Sequence, residues 1–283
     1  MSSPDPPLEE CVPSSVRPQD NAAVVFEDVH LAFGDNQVLR GVSFRLPSGE
    51  TKALFGVAGS GKSTILKLAL GLLRPDSGRI TVLGNEVTGM TEEDLFPLRG
   101  HLGMVFQEGA LFDSLTVAEN VAFRLIEEHG VYDEPTDQSV RQALRFVELE
   151  HTLNMFPSEL SGGMRRRVAI ARAIITQPDL LLYDSPTGGL DPVTSNTIVE
   201  LIMKQRDVYR SSSLLVTHRL QDAFTLATHE FDPQHNELKA LPRGQYCDAP
   251  MSFLILRDGK VIFDGDIRHL AHTPDEYIRE YIS

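Results

Sequence analysis

The nine residues Gly56-Val57-Ala58-Gly59-Ser60-Gly61-Lys62-Ser63-Thr64 constrain this chain more than any other stretch of it. They satisfy the pattern G-x-x-x-x-G-K-[ST]. They lie between a short apolar run, Thr51 to Gly56, and a segment whose apolar residues Ile65, Leu66, Ala69, Leu70 and Leu73 recur at helical spacing. A strand passing into a helix through such a loop belongs to an α/β fold. The loop also dictates a ligand. Its glycines let consecutive backbone N–H groups turn inward on phosphate oxygens, at a helix N-terminus whose dipole favours anions. Lys62 is placed to reach the β- and γ-phosphates of a nucleotide, and the Ser63 hydroxyl to ligate Mg²⁺. A chain of ordinary composition meets the pattern by chance only about once in 100.

The remaining segments fit a parallel sheet. Val24 to Val29 and Val38 to Leu46 read as strands, the second closed by Pro47-Ser48-Gly49. Leu180-Leu181-Leu182-Tyr183 and Leu214-Leu215-Val216 are unbroken apolar runs ending at Asp184 and at Thr217-His218, as buried parallel strands do. Phe253 to Leu256 and Val261 to Phe263 flank Asp258-Gly259, a hairpin signal. Between the phosphate loop and Leu180, the stretch from Glu108 to Ile175 reads as mostly helical. Its last helix puts Met164, Val168, Ala171 and Ile175 on one face and Arg165, Arg166 and Arg167 on a solvated one. The expected organisation is a flexible Pro-rich arm over 1–22 and a folded domain over 23–270. That domain holds an inserted helical subdomain at about 108–175 and a polar surface insertion at about 229–250, and a short C-terminal helix occupies 271–283.

Charge and composition narrow the function. With 26 Lys and Arg against 40 Asp and Glu the formal charge is −14, which disfavours a nucleic-acid partner because phosphate neutralisation needs a basic face. No run of about 18 apolar residues is present, so no helical membrane span is expected. Met1 to Asp20 has neither the charged nor the apolar region of a secretory signal. Cys11 and Cys247 are too far apart in sequence to suggest a disulfide framework or a zinc site.

Several further residues have a direct physical role beside a bound nucleotide. Asp184, at the C-terminal end of its strand, falls in the ligand crevice of parallel sheets and suits Mg²⁺. Gln107, after the short strand Gly103 to Phe106, offers an amide to Mg²⁺ or to the attacking water. His218 can hydrogen-bond a γ-phosphate, and Phe33 can stack on a base or simply belong to the core. Ser161, Gly162 and Gly163, in Leu160-Ser161-Gly162-Gly163-Met164, begin a helix with a serine N-cap.

In that order and setting these residues resemble the nucleotide-binding subunit of an ATP-binding cassette (ABC) transporter over about Val24 to Leu270. The resemblance implies a nucleoside-triphosphatase core of mixed sheet, RecA-like, with an inserted helical signature subdomain. It makes Leu160–Gly163 the signature motif, Asp184 the Walker B aspartate, Gln107 the Q-loop, His218 the switch histidine, Leu190-Asp191 the D-loop and Phe33 the adenine-stacking aromatic. It implies ATP and Mg²⁺ as ligands, the metal being held by Ser63, Asp184 and Gln107. It also implies a two-fold dimer, most simply a homodimer, in which Ser161 and Gly162 of one subunit cap the γ-phosphate bound to the other.

The departure that bears most on the chemistry is at one position. Where the family's Walker B motif ends in Asp-Glu, this chain has Asp184-Ser185. A serine hydroxyl has no useful basicity near pH 7, so ATP binding with slow turnover is expected. The Gln107–Val117 stretch is expected to form part of a groove that receives a permease helix, holding the chain at the cytoplasmic face of the inner membrane. Phe106-Gln107-Glu108-Gly109-Ala110-Leu111-Phe112 and Leu160-Ser161-Gly162-Gly163-Met164, with Met164 where glutamine is usual, are similar to ATPases of bacterial phospholipid-trafficking systems, those of outer-membrane asymmetry and their Mce-associated relatives. A nucleotide-gated clamp on a permease, a cassette for another solute, and a soluble ABC protein remain open alternatives at the level of sequence.

Overall fold

A computed structural model describes residues 22–235, 237–242 and 251–282. The arm expected over 1–22 therefore lies almost wholly outside the described residues, as does the last third of the 229–250 insertion.

The chain opens with a long hairpin, β1 (Ala22–Phe33) and β2 (Asn36–Pro47), followed by β3 (Thr51–Gly56), the phosphate loop and α1 (Lys62–Ala69). It continues through β4 (Ser77–Val82), β5 (Asn85–Glu86), α2 (Glu92–Gly100) and β6 (Leu102–Val105). Three helices come next: α3 (Val117–His129), α4 (Glu134–Phe146) and α5 (Gly162–Ile174). The chain then returns to the core as β7 (Leu180–Asp184), α6 (Pro192–Tyr209), β8 (Ser212–Val216) and α7 (Leu220–Thr228). Two hairpins, β9 (His229–Asp232) with β10 (Glu237–Ala240) and β11 (Met251–Arg257) with β12 (Lys260–Gly265), precede α8 (Ile267–Ala271) and α9 (Glu276–Ile282).

The central sheet has the order β12-β11-β3-β8-β7-β6, parallel except for the edge strand β12, and a second, antiparallel sheet runs β2-β1-β4-β5. Alternation along the central strands divides the core into two layers. Leu54, Leu182, Leu214 and Leu254 pack with the antiparallel sheet and α1, whereas Phe55, Tyr183, Leu215 and Phe253 pack with the helices on the other face. Both faces are covered, which is why these strands read as unbroken apolar runs. Asp258 and Gly259 have φ of 49° and 75°, the doubly left-handed turn that the Asp-Gly pair announced.

Two expectations change. The first helix ends at Ala69 rather than Leu73, because Gly71 turns left-handed (φ 66°) and Leu95 packs where a side chain at 71 would stand. The polar stretch after Ala227 is not simply a loop: β9 and β10 pair, and the Phe231 N–H donates to Asp207 Oδ2 (2.8 Å) on α6. Arg206, itself buried beside Asp207, donates to His229 O. No helix among the described residues is long and apolar enough to cross a membrane.

Candidate functional site

The phosphate loop is shaped by what its glycines leave out. Gly56 ends β3 at φ 145°, and a Cβ there would run into Leu256 O. Gly61, at φ 100°, lies against β2, where a Cβ would come within 2.7 Å of Leu39 Cδ2. Only glycine fits both positions. The tip, Val57 to Gly59, is exposed, and α1 begins with no side-chain cap and no acidic residue in its first turn. Its first N–H groups and its dipole are thus left for an anion.

The Lys62 side chain is buried and turns back over the loop. Its ammonium donates to Gly56 O (2.8 Å), Val57 O (2.9 Å) and Ser60 Oγ (3.4 Å). Burial holds its pKa below the ordinary lysine value, opposed by the attraction of Asp184. Asp184 ends β7 across the crevice, and the Ser63 hydroxyl donates to its Oδ1 at 3.2 Å. A hydroxyl and a carboxylate at that separation are hard oxygen donors of the kind Mg²⁺ selects.

His218 lies within electrostatic reach of both Lys62 and Asp184. Although the residue is exposed overall, partial dehydration of its ring, then the Lys62 ammonium, hold the imidazole below the ordinary histidine pKa against the pull of Asp184. The ring is therefore neutral at pH 7 and offers one N–H. The sign of the linkage follows: with a folded pKa below the unfolded value near 6.5, the folded chain binds fewer protons in that interval. Stability contributed by this group is full above about pH 6.5 and falls as acid protonates it. His218→Asn is expected to flatten the melting temperature's dependence on pH just below that value; an unchanged dependence overturns the assignment.

Ser185 follows Asp184 in a left-handed conformation (φ 48°) and is buried. Its N–H donates to Val216 O (2.9 Å), and its carbonyl accepts from Gly188 N–H (2.9 Å). The Gln107 amide nitrogen comes within 3.7 Å of the space a Cβ on Gly188 would fill, so Gln107 and the Ser185–Gly188 turn are neighbours. Thr187 donates to the buried Asp222, which Arg219 also engages while donating to Ser195 Oγ (2.6 Å). This network ties the His218 loop to the Ser185 turn and to α6.

The remaining candidates stand apart from this cluster. Phe33 is 52% exposed at the tip of the first hairpin, so it does not belong to the core. Ser161 caps α5 by accepting from Met164 N–H (3.3 Å), and Asp191 caps α6 by accepting from Thr194 N–H (3.0 Å). Gly163 lies directly against Thr194, where any side chain would collide. Among the described residues, none of Ser161, Gly162 and Gly163 is hydrogen-bonded to the phosphate loop of the same chain.

The arginines of α5 do not form a solvated face. Arg165 donates to Leu160 O (2.8 Å) and Arg167 to Val147 O (3.1 Å). Arg166 is buried. Arg172 donates to Gly109 O and Ala110 O, both at 2.8 Å. Asn120, fully buried on α3, accepts from Phe112 N–H and donates to the carbonyls of Phe112, Leu115 and Thr116. Together Arg172 and Asn120 fix the segment after Gln107. An apolar cleft of about 370 Å³ opens beside it, lined by Leu70, Leu72, Phe106, Ala110 and Phe112. Arg172 and Asn120 escaped the reading of the sequence; an asparagine between Val117 and Val121 on an otherwise apolar helix face was the available sign.

Known proteins share this fold. Residues 39–188 match the family described as ABC transporter. The chain is 35% identical over 280 residues to the chloroplastic protein TRIGALACTOSYLDIACYLGLYCEROL 3 of Arabidopsis thaliana, covering 96% of this chain and 76% of that one. It is 31% identical over 259 residues to the intermembrane phospholipid transport system ATP-binding protein MlaF of Escherichia coli K12, covering 92% and 88%. Among solved structures, the dimeric ATP-binding cassette MJ0796 in a post-hydrolysis state with ADP and Pi superposes with a TM-score of 0.71 at 28% identity, over 87% of this chain and 99% of that one. The matched stretch runs from β2 through the phosphate loop, the capped helix α5 and Asp184 to Gly188, and the chain belongs to the ABC transporter family as an ATP-binding subunit.

Proposed function

We propose that the chain is the ATP-driven subunit of a system that moves phospholipid or related lipid between membranes. The observation that carries the nucleotide chemistry is the convergence of Lys62, Ser63, Asp184 and His218 on one crevice at the ends of β3, β7 and β8. In this reading Gly56 to Thr64 cradle the phosphates, Ser63, Asp184 and Gln107 hold Mg²⁺, and His218 donates its N–H to the γ-phosphate. Phe33 stacks on the base. Bound there, Mg²⁺ would supply neutralisation of phosphate charge. Ser161, Gly162 and Gly163, which stand apart from the phosphate loop of their own chain, meet the nucleotide bound by a second copy, with Asp191 beside them. The second site is equivalent by two-fold symmetry.

The apolar cleft beside Gln107 to Val117 receives a helix of a membrane permease, placing the chain peripherally on the cytoplasmic membrane face. Its exposed Phe106, Phe112 and Leu72 suit an amphipathic helix in a groove. Lipid as cargo is supported by the names of two relatives that span nearly the whole chain, one a phospholipid transport protein and one named for a galactolipid. Purification in mild detergent, with the cassette as bait, is expected to bring down an integral membrane protein. The reconstituted complex is expected to transfer labelled phospholipid between vesicle populations only with ATP. Capture without lipid transfer, but with movement of another solute, overturns the cargo; capture of no membrane protein overturns the assembly.

Ser185 favours a second reading in which association, not hydrolysis, does the regulating. With no base beside the attacking water, the dimer closes on ATP and opens slowly. Stopped-flow single turnover on the complex separates the two, because a motor transports no faster than it hydrolyses, whereas a clamp acts on its partner once ATP is bound.

A further inference from the structure

We propose that Arg166 is a positioning residue that holds Gln107 in register with the Ser185–Gly188 turn and passes movement of the Ser161 end of α5 to the hydrolytic side of the nucleotide site. The proposal rests on the roles given above to Ser161, Gln107 and Ser185. Arg166 lies one turn into α5 and is 7% exposed. Its Nη1 donates to Phe106 O at 3.2 Å and its Nη2 to Gly188 O at 3.0 Å. The first carbonyl belongs to the residue before Gln107. The second belongs to the residue whose N–H closes the turn on Ser185 O. One planar guanidinium thus spans the two segments that must agree for a water to be aimed at the γ-phosphate.

The energetics argue that this is not a device for stability. Among the described residues no carboxylate is ion-paired with Arg166; Glu108 only favours its charged form from a distance, while burial opposes that form. Its Nε has no hydrogen-bond partner among the described residues. A buried cation with two of its five N–H groups on carbonyls and its Nε idle is costly compared with an apolar side chain of the same size. Such a residue is retained for what it holds. The same helix is capped by Ser161 and in its last turn sets Arg172 on the Gly109 and Ala110 carbonyls beside the apolar cleft. A displacement of α5 therefore moves Phe106 and Gly188 together through Arg166, and without Arg166 the two segments respond separately.

The test compares Arg166→Met and Arg166→Lys in the full chain carrying Ser185→Glu. Both are expected to lower kcat about 10- to 100-fold with KM for ATP within about twofold, since positioning is lost and the phosphate loop is untouched. Methionine is expected to keep or raise the melting temperature. Lysine, one ammonium facing two carbonyls, is expected not to rescue. Independently of hydrolysis, amide exchange at Gly188 and across residues 106–108 should accelerate about tenfold or more in both variants. Turnover that follows the melting temperature, rescue by lysine, or faster exchange with undiminished turnover overturns the proposal. Unchanged exchange at Gly188 overturns it whatever the rates. If Ser185→Glu alone gives no rise while the Arg166 variants speed exchange, it is the reading of Ser185 that fails.

Discussion

Ser185→Glu is expected to raise steady-state ATP hydrolysis about 10²- to 10⁴-fold, the range a positioned general base contributes. The backbone is ready for it. Ser185 already occupies a left-handed conformation, so replacing one L-residue by another adds no new strain. Both of its backbone groups are committed, the N–H to Val216 O and the carbonyl to Gly188 N–H, so the longer side chain starts from a fixed point. It emerges one residue past Asp184 and beside the Gln107 amide. Ser185→Gln is the control, because an amide of the same length takes no proton. Equal rates for serine, glutamine and glutamate show that residue 185 does not limit turnover. A rise with glutamine as large as with glutamate shows that packing, not basicity, is what serine lacks.

Lys62→Met is expected to weaken ATP binding by roughly 10²- to 10³-fold, equivalent to about 3–4 kcal/mol for two charge-assisted contacts to phosphate. Methionine keeps most of the length and volume of the side chain. It removes a buried ammonium whose pKa burial depresses, so the fold is expected to hold and the melting temperature to stay level or rise. The loss is smaller than a phosphate–ammonium pair in isolation would give. Lys62 must exchange its bonds to Gly56 O, Val57 O and Ser60 Oγ for bonds to phosphate, and only the difference appears as affinity. Equilibrium titration with a fluorescent ATP analogue measures it. Affinity within threefold of the parent chain, with the fold intact by circular dichroism, removes Lys62 from the nucleotide site.

What the sequence disclosed was what depends on near neighbours in the chain. The phosphate loop is a local conformation, fixed by glycines at 56 and 61, and the strands that flank it show as apolar runs because both sheet faces are covered. The Asp258-Gly259 turn is legible for the same reason. Arg166, Arg172 and Asn120 were not, because each of the arginines donates to backbone carbonyls about 60 or more positions upstream, or to Gly188, and a carbonyl has no identity in a sequence. Three consecutive arginines look alike until the fold buries one of them. The hairpin β9–β10 was hidden by its polarity: beyond Phe231 and Leu238, which pack on the core, it is anchored to α6 through Arg206 and Asp207.

The cap on α5 has a chemical corollary. The Ser161 oxygen accepts from Met164 N–H through a lone pair, which leaves its own proton uncommitted. One atom can therefore fasten the helix and still present a donor to an anion arriving from a second copy. Aspartate would fasten the helix equally well, yet it carries no proton at neutral pH and would face phosphate as a like charge. Folding accepts several residue types here, whereas the role proposed for Ser161 in nucleotide-driven closure calls for a donor such as a hydroxyl. A chain with aspartate at 161 would fold, bind ATP on its own loop and melt at the usual temperature, with its defect visible only when two chains are asked to close.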